Sequence, residues 1–119
     1  MSSSERRGTP RAASRLSMVL TDQAREMAAH TENISASGVY CTLPHFVPPM
    51  TKLEVRLELP GAPKPKPIRC QGVVVRINPP APAPHHTSYE VAIFFNDLAE
   101  RDRAVIAGYV QQHNRPSGA

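Results

Sequence analysis

Apolar and polar residues alternate along several short stretches of the chain. In Lys52–Leu59, Leu53, Val55, Leu57 and Leu59 are interleaved with Lys52, Glu54, Arg56 and Glu58. A period of two predicts a strand with one face on a core and the other in water. Tyr89, Val91, Ile93 and Phe95 repeat the pattern, as do Leu16, Met18 and Leu20. Val39–Leu43, after Gly38, predicts a short strand, and the β-branched run IRCQGVVVRIN, residues 68–78, predicts another. Past Asp97 the period changes. Leu98, Val105, Ile106, Tyr109 and Val110 fall on one side of a helix, so Leu98–His113 is expected as one amphipathic helix with its stripe on the rest of the fold. Asp97 and Glu100 have the spacing of a capping box at its start.

Prolines mark the connections. Eight of the thirteen lie between Pro60 and Pro84, in the bursts PGAPKPKP and PPAPAP that flank residues 68–78. Proline lacks the N–H that a ladder needs, so the bursts are expected as stiff loops at either end of that strand. Several short strands separated by turn signals argue for an antiparallel barrel or sandwich. One segment conflicts with this: TDQAREMAAHTE is rich in helix formers, while a meander needs a strand there.

Composition narrows the class. A chain of 119 residues supports one domain, and 25 Leu, Ile, Val and Phe give it a modest core. No apolar run approaches the roughly 18–20 residues of a membrane span, and MSSSERRGTPR lacks the hydrophobic segment of a secretory signal. Cys41 and Cys70 are therefore expected as reduced thiols in a cytoplasmic protein. The net charge of +4 is uneven: residues 1–15 carry four arginines against Glu5, and the rest of the chain is nearly neutral. Residues 1–15 are read as a flexible arginine-rich arm, 16–114 as barrel plus helix, and 115–119 as a disordered tail.

Two motifs carry chemistry. The arm contains Arg7-Gly-Thr-Pro-Arg11, an RxxxR directly preceded by Arg6. Asn33-Ile-Ser35-Ala-Ser-Gly38, an [D/N]xSxxG, follows 22 residues after Arg11. Alone, the first is an ordinary cationic tail and the second an ordinary polar turn. Together, in this order and ahead of a set of strands, they are far more specific. An arginine can fork onto guanine O6 and N7, pair with phosphate or stack on a purine, whereas lysine does only the second well. Asn33 offers an amide, Ser35 a hydroxyl, and Gly38 a close approach to the backbone or a turn with positive φ. Arg76 can line the same surface from its strand or be an ordinary solvated strand arginine.

The pair resembles the signature of the PilZ domain, the bacterial cyclic di-GMP receptor module. ERRGTPR resembles the family's arm, NISASG its second motif, CQGVVVRI its glycine-then-valines strand and YEVAIFFNDLAERDR its last strand running into the helix. The likeness implies an all-β fold, a six-stranded antiparallel barrel with a C-terminal helix packed at one end. It also implies that Ala24–Glu32 is a strand, against its propensity. By resemblance, Arg6, Arg7, Arg11, Asn33, Ser35, Gly38 and Arg76 are the candidate ligand-binding residues, with cyclic di-GMP as ligand. The partner is expected to be a separate bacterial effector in motility, pilus or exopolysaccharide machinery.

Other functions find little support. His30, His45, His85, His86 and His113 have no metal-ligand spacing, so neither metal nor cofactor is expected. No nucleophile–base pair, Walker loop or catalytic carboxylate pair is visible, and the chain does not read as an enzyme. Two alternatives stand beside the receptor reading: an adaptor of the same fold that has lost nucleotide binding, and a small barrel binding single-stranded nucleic acid. The second is disfavoured because such sites need exposed aromatic platforms, and Tyr89, Phe95 and Tyr109 are claimed by the core pattern.

Overall fold

The computed structural model describes residues 10–23, 25–61, 63–85 and 88–114. Its strands are β1 (Arg11–Ala12), β2 (Ser17–Asp22), β3 (Arg25–Ser35), β4 (Gly38–Leu43), β5 (Lys52–Leu59), β6 (Lys66–Asn78) and β7 (Tyr89–Asp97), followed by helix α1 (Glu100–His113). All pairings are antiparallel. The sheet runs β3-β2-β5-β6-β7-β4 and closes by pairing β4 with β3, a six-stranded barrel that leaves no open edge in its wall. The two-residue β1 adds to β3 beyond the end of β2, through Arg11↔Ser35 and Ala12↔Ile34.

The alternating residues point where their period directs them. Leu53, Val55, Leu57 and Leu59 are buried, as are Tyr89, Val91, Ile93 and Phe95. Within the segment of helical propensity, Thr21 and Asp22 end β2 and Arg25–Glu32 is strand, with Met27, Ala29 and Thr31 facing inward; Ala24 lies outside the described residues. The first half of β3 is paired by β2 and its second half by β4, so ladder hydrogen bonds along its length outweigh a local preference worth a few tenths of a kcal/mol per residue. The proline bursts separate β5 from β6 and β6 from β7. Pro67 alone of these enters a strand, opposite Glu58 and short of Gln71, where β7 begins to pair. Its missing N–H therefore costs β6 no bond to β7.

The helix begins later than its periodicity suggests, and the capping box does not form. Asp97 stays in the ladder opposite Gln71, so the N-cap is Ala99, with no side-chain hydrogen bond. Ile106 and Val110 are buried against the barrel, with Leu98, Val105 and Tyr109 packed around them. No helix among the described residues is long and apolar enough to cross a membrane.

Both cysteines are free and lie in the core. Burial pushes the Cys41 thiol up to about 12 and the Cys70 thiol up to about 11, with carboxylates nearby adding to the effect. A raised thiol pKa means the reactive thiolate is nearly absent at neutral pH. The native protein should therefore show no rapid reaction with a disulfide reagent such as DTNB at pH 8, and two equivalents in denaturant. A thiol that titrates quickly in native buffer would show that the core around it opens.

Candidate functional site

Of three register shifts among β3, β4, β7 and β6, two shape the outer face around the motif. Along β3, Met27, Ala29 and Thr31 face inward, and an unbroken period would send Asn33 inward too. The register shifts between Thr31 and Asn33, so Ile34 takes the core position and Asn33 turns outward. Along β6, Ile68, Cys70, Gly72 and Val74 occupy inward positions, and Arg76 would follow them. A shift between Val74 and Arg76 makes Ile77 the buried residue and leaves Val75 and Arg76 exposed. Bulges of this kind re-aim side chains. Here they bring both residues onto one cross-strand row, Asn33↔Tyr40↔Ala92↔Arg76.

The adjacent row is Ser35↔Gly38↔Phe94↔Val73, and the arm meets the barrel at its first two members. Arg11 spends three donors there. Its Nε donates to Asn33 Oδ1 at 2.6 Å, Nη1 to Ser35 Oγ at 3.1 Å and Nη2 to the Gly38 carbonyl at 3.2 Å. One guanidinium thus joins all three defining residues of the NxSxxG motif. Burial lowers the Arg11 pKa from its usual value, but an arginine stays charged in this range.

Ser35 is fully buried, and its hydroxyl organises the turn. It also accepts from the Ser37 N–H at 3.1 Å and lies 2.9 Å from Ser37 Oγ. Gly38 is required by packing. A Cβ there would stand 2.2 Å from the Ile93 carbonyl oxygen of β7, and no positive φ is involved. The expected alternative of a left-handed turn residue is therefore replaced by close approach of β4 to β7, while the approach of the arm to the Gly38 backbone is present.

Residues that sequence patterns did not single out hold the rest of the arm. Thr31, a buried polar residue, fills the gap between β1 and β2: its Oγ1 accepts from the Leu16 N–H and donates to the Ser14 carbonyl. The far end of α1 adds Asn114 Nδ2 to the Arg11 carbonyl at 2.8 Å, His113 Nε2 beside the Ala13 carbonyl at 3.1 Å, and a hydroxyl pair between Tyr109 and Ser14. Arg103 Nη1 donates to the Ala36 carbonyl at 2.9 Å, tying α1 to the motif turn. A threonine at an inward strand position was the readable signal for Thr31. The helix contacts are long-range and carry no local signature.

Of the expected site residues, Arg11, Asn33, Ser35 and Gly38 form one bonded cluster, and Arg76 stands on the same face two strands beyond Tyr40. Arg6 and Arg7 lie outside the described residues. Beyond that row lie Glu90, which accepts from Tyr40 at 2.9 Å, and Glu32, which accepts from Thr42 at 3.0 Å. The Tyr40 phenol is pushed up by its bond to Glu90. Among the described residues no three metal-ligating side chains gather in one place.

A family model described as PilZ domain matches residues 5–112. Among solved structures, the chain is similar to the Bacillus subtilis inhibitor of motility (MotI/DgrA), with a TM-score of 0.77 at 20% identity. That likeness covers 92% of this chain and 53% of the other, so it speaks to the fold, and the chain spans about half of its neighbour's length. A comparison with curated proteins found no match.

The packing role of Gly38 is directly testable. Gly38→Ala should lower stability by about 1–3 kcal/mol, the range for overpacking a tight contact, read as a lower midpoint in urea. An unchanged midpoint would show that β4 and β7 can separate without cost.

Proposed function

The chain belongs to the PilZ domain family, and from that premise we propose that it is a receptor for cyclic di-GMP that signals through the position of its N-terminal arm. The observation that carries this reading is the Arg11 guanidinium bonded at once to Asn33, Ser35 and Gly38. Arg11, the described part of the RxxxR motif, and the motif turn share one hydrogen-bonded cluster, which supports reading the arm and the turn as one site. Arg6 and Arg7 bring two more forks on the same short segment. A nucleotide with two phosphates and two guanines offers such groups both charge and bidentate acceptors.

In this reading Ser35 and Gly38 hold the cradle, Asn33 and Arg76 meet the ligand from the barrel face, and Arg6, Arg7 and Arg11 close over it. Binding would redirect some of the Arg11 donors from protein to nucleotide. The main chain of Arg11 and Ala13 and the side chain of Ser14 are bonded to the end of α1, so a shift of the arm disturbs the helix terminus as well. A ligand can bias such an equilibrium by its differential affinity for the two arm positions. The altered arm and helix end would be read by a separate effector protein, with motility, pilus or exopolysaccharide machinery as the family's implication. The protein is read as a cytoplasmic binding module without catalytic residues or a resident cofactor.

Calorimetric titration with cyclic di-GMP, beside GTP and a single-stranded oligonucleotide, tests the proposal. Selective binding of cyclic di-GMP in the micromolar range or tighter is expected, about −8 kcal/mol or stronger. Silence with cyclic di-GMP up to tens of micromolar would leave the nucleotide-free adaptor, and heat with the oligonucleotide alone would favour nucleic-acid binding.

Arginine substitutions test the arm separately. Arg7→Ala and Arg11→Ala should each weaken binding by about 1–3 kcal/mol, the range for charge-assisted contacts. Wild-type affinity in both variants would reduce the arm to a solvated tail.

A further inference from the structure

Phe94 has no part in the core or in the motif, yet it stands beside the cradle. Of the six aromatic side chains, five are buried or half-buried, and Phe94 is 48% exposed. It is the cross-strand partner of Gly38. Directly opposed residues in antiparallel strands lie about 4.5–5.5 Å apart between Cα atoms. Arg11 reaches the Gly38 carbonyl from the other side, so guanidinium and aromatic ring flank a residue with no side chain to separate them. Ala92, the next outward residue on β7, adds only a methyl group, and its partner Arg76 supplies a second fork.

Resting on the nucleotide reading above, we propose that Phe94 is the stacking platform for a purine base of the bound nucleotide. An exposed aromatic face costs hydration that a stacked base recovers, and a planar base offers a face for the ring and an edge for an arginine. The arrangement divides recognition: the ring holds the base plane, while Arg11 or Arg76 reads its edge or its phosphate. Stacking is indifferent to base identity, so Phe94 contributes affinity and the arginines contribute the choice of guanine.

The chain has no tryptophan, which gives a direct optical test. Phe94→Ala should weaken cyclic di-GMP binding about tenfold or more, in line with the loss of one base–aromatic stack. Phe94→Leu should weaken it similarly, because it keeps apolar bulk without a ring face. Phe94→Trp should bind as well as the parent, and its emission should be quenched on titration with cyclic di-GMP. Should Phe94→Ala fold poorly, the leucine and tryptophan variants decide the question. Parental affinity in Phe94→Leu, or tryptophan emission that ignores saturating nucleotide, overturns the platform while leaving the receptor reading intact. Absence of binding by the unmodified chain overturns the receptor reading first and the platform with it.

Discussion

A side chain on a strand of a closed barrel has two destinations, the core or the outside, and a period of two decides which. The outward placement of Asn33 and Arg76 follows from where that period is broken. Unbroken, β3 and β6 would aim Asn33 and Arg76 into an apolar interior, where an arginine without a partner is prohibitively unfavourable. One extra residue in each strand reverses the assignment and lets Ile34 and Ile77 fill the core instead. The same operation on two strands that are not neighbours delivers both polar groups to one row. The barrel thus stays fully packed while a polar face is assembled on its wall.

The arm adds a different kind of constraint. Ser35, buried under Arg11 and also bonded to Ser37, and the Gly38 carbonyl both receive a charged donor from the same guanidinium. Arg11 satisfies them, at the cost of partial desolvation of its own charge. Such an arrangement is stable but replaceable, because a ligand with donors and acceptors of its own can take over some of the contacts. Bonds from the end of α1 to Arg11, Ala13 and Ser14 extend the consequence beyond the motif. The N-terminal segment and the helix terminus are close to 100 residues apart in sequence and share one set of hydrogen bonds.

The alternating strands were legible because burial and period agree in them, as in Leu53–Leu59 and Tyr89–Phe95. TDQAREMAAHTE was not legible from propensity, since its strand state comes from its two hairpin partners, β2 and β4, and only a resemblance to a known fold supplied it. Asp97 and Glu100 misled, because the ladder holds Asp97 past the point where a cap would form. The NxSxxG residues were visible as a motif, but the reason for Gly38 was not: only the approach of Ile93 from another strand shows what a side chain would strike. Phe94 was implied by alternation, since the inward run of β7 leaves it outside. Bulges have no dependable local signature, so the outward turn of Asn33 and Arg76 required the register of their partners.

The distribution of charge on this face gives it a direction. Arg11 lies at one corner and Arg76 on the row beside it, while Glu32 and Glu90 line the next row out, held by Thr42 and Tyr40. A phosphate is attracted to the arginine side and repelled from the carboxylate side, whereas guanine can present N–H donors to an acidic edge. For a nucleotide on this sheet, charge alone therefore favours phosphates toward Arg11 and Arg76 and away from the row of Glu32 and Glu90. A featureless basic patch would bind any polyanion in any orientation, and would do so progressively less well as salt rises. The nearly neutral barrel removes that option. In the proposed reading, position, orientation and charge on this small face all have to match one compact ligand.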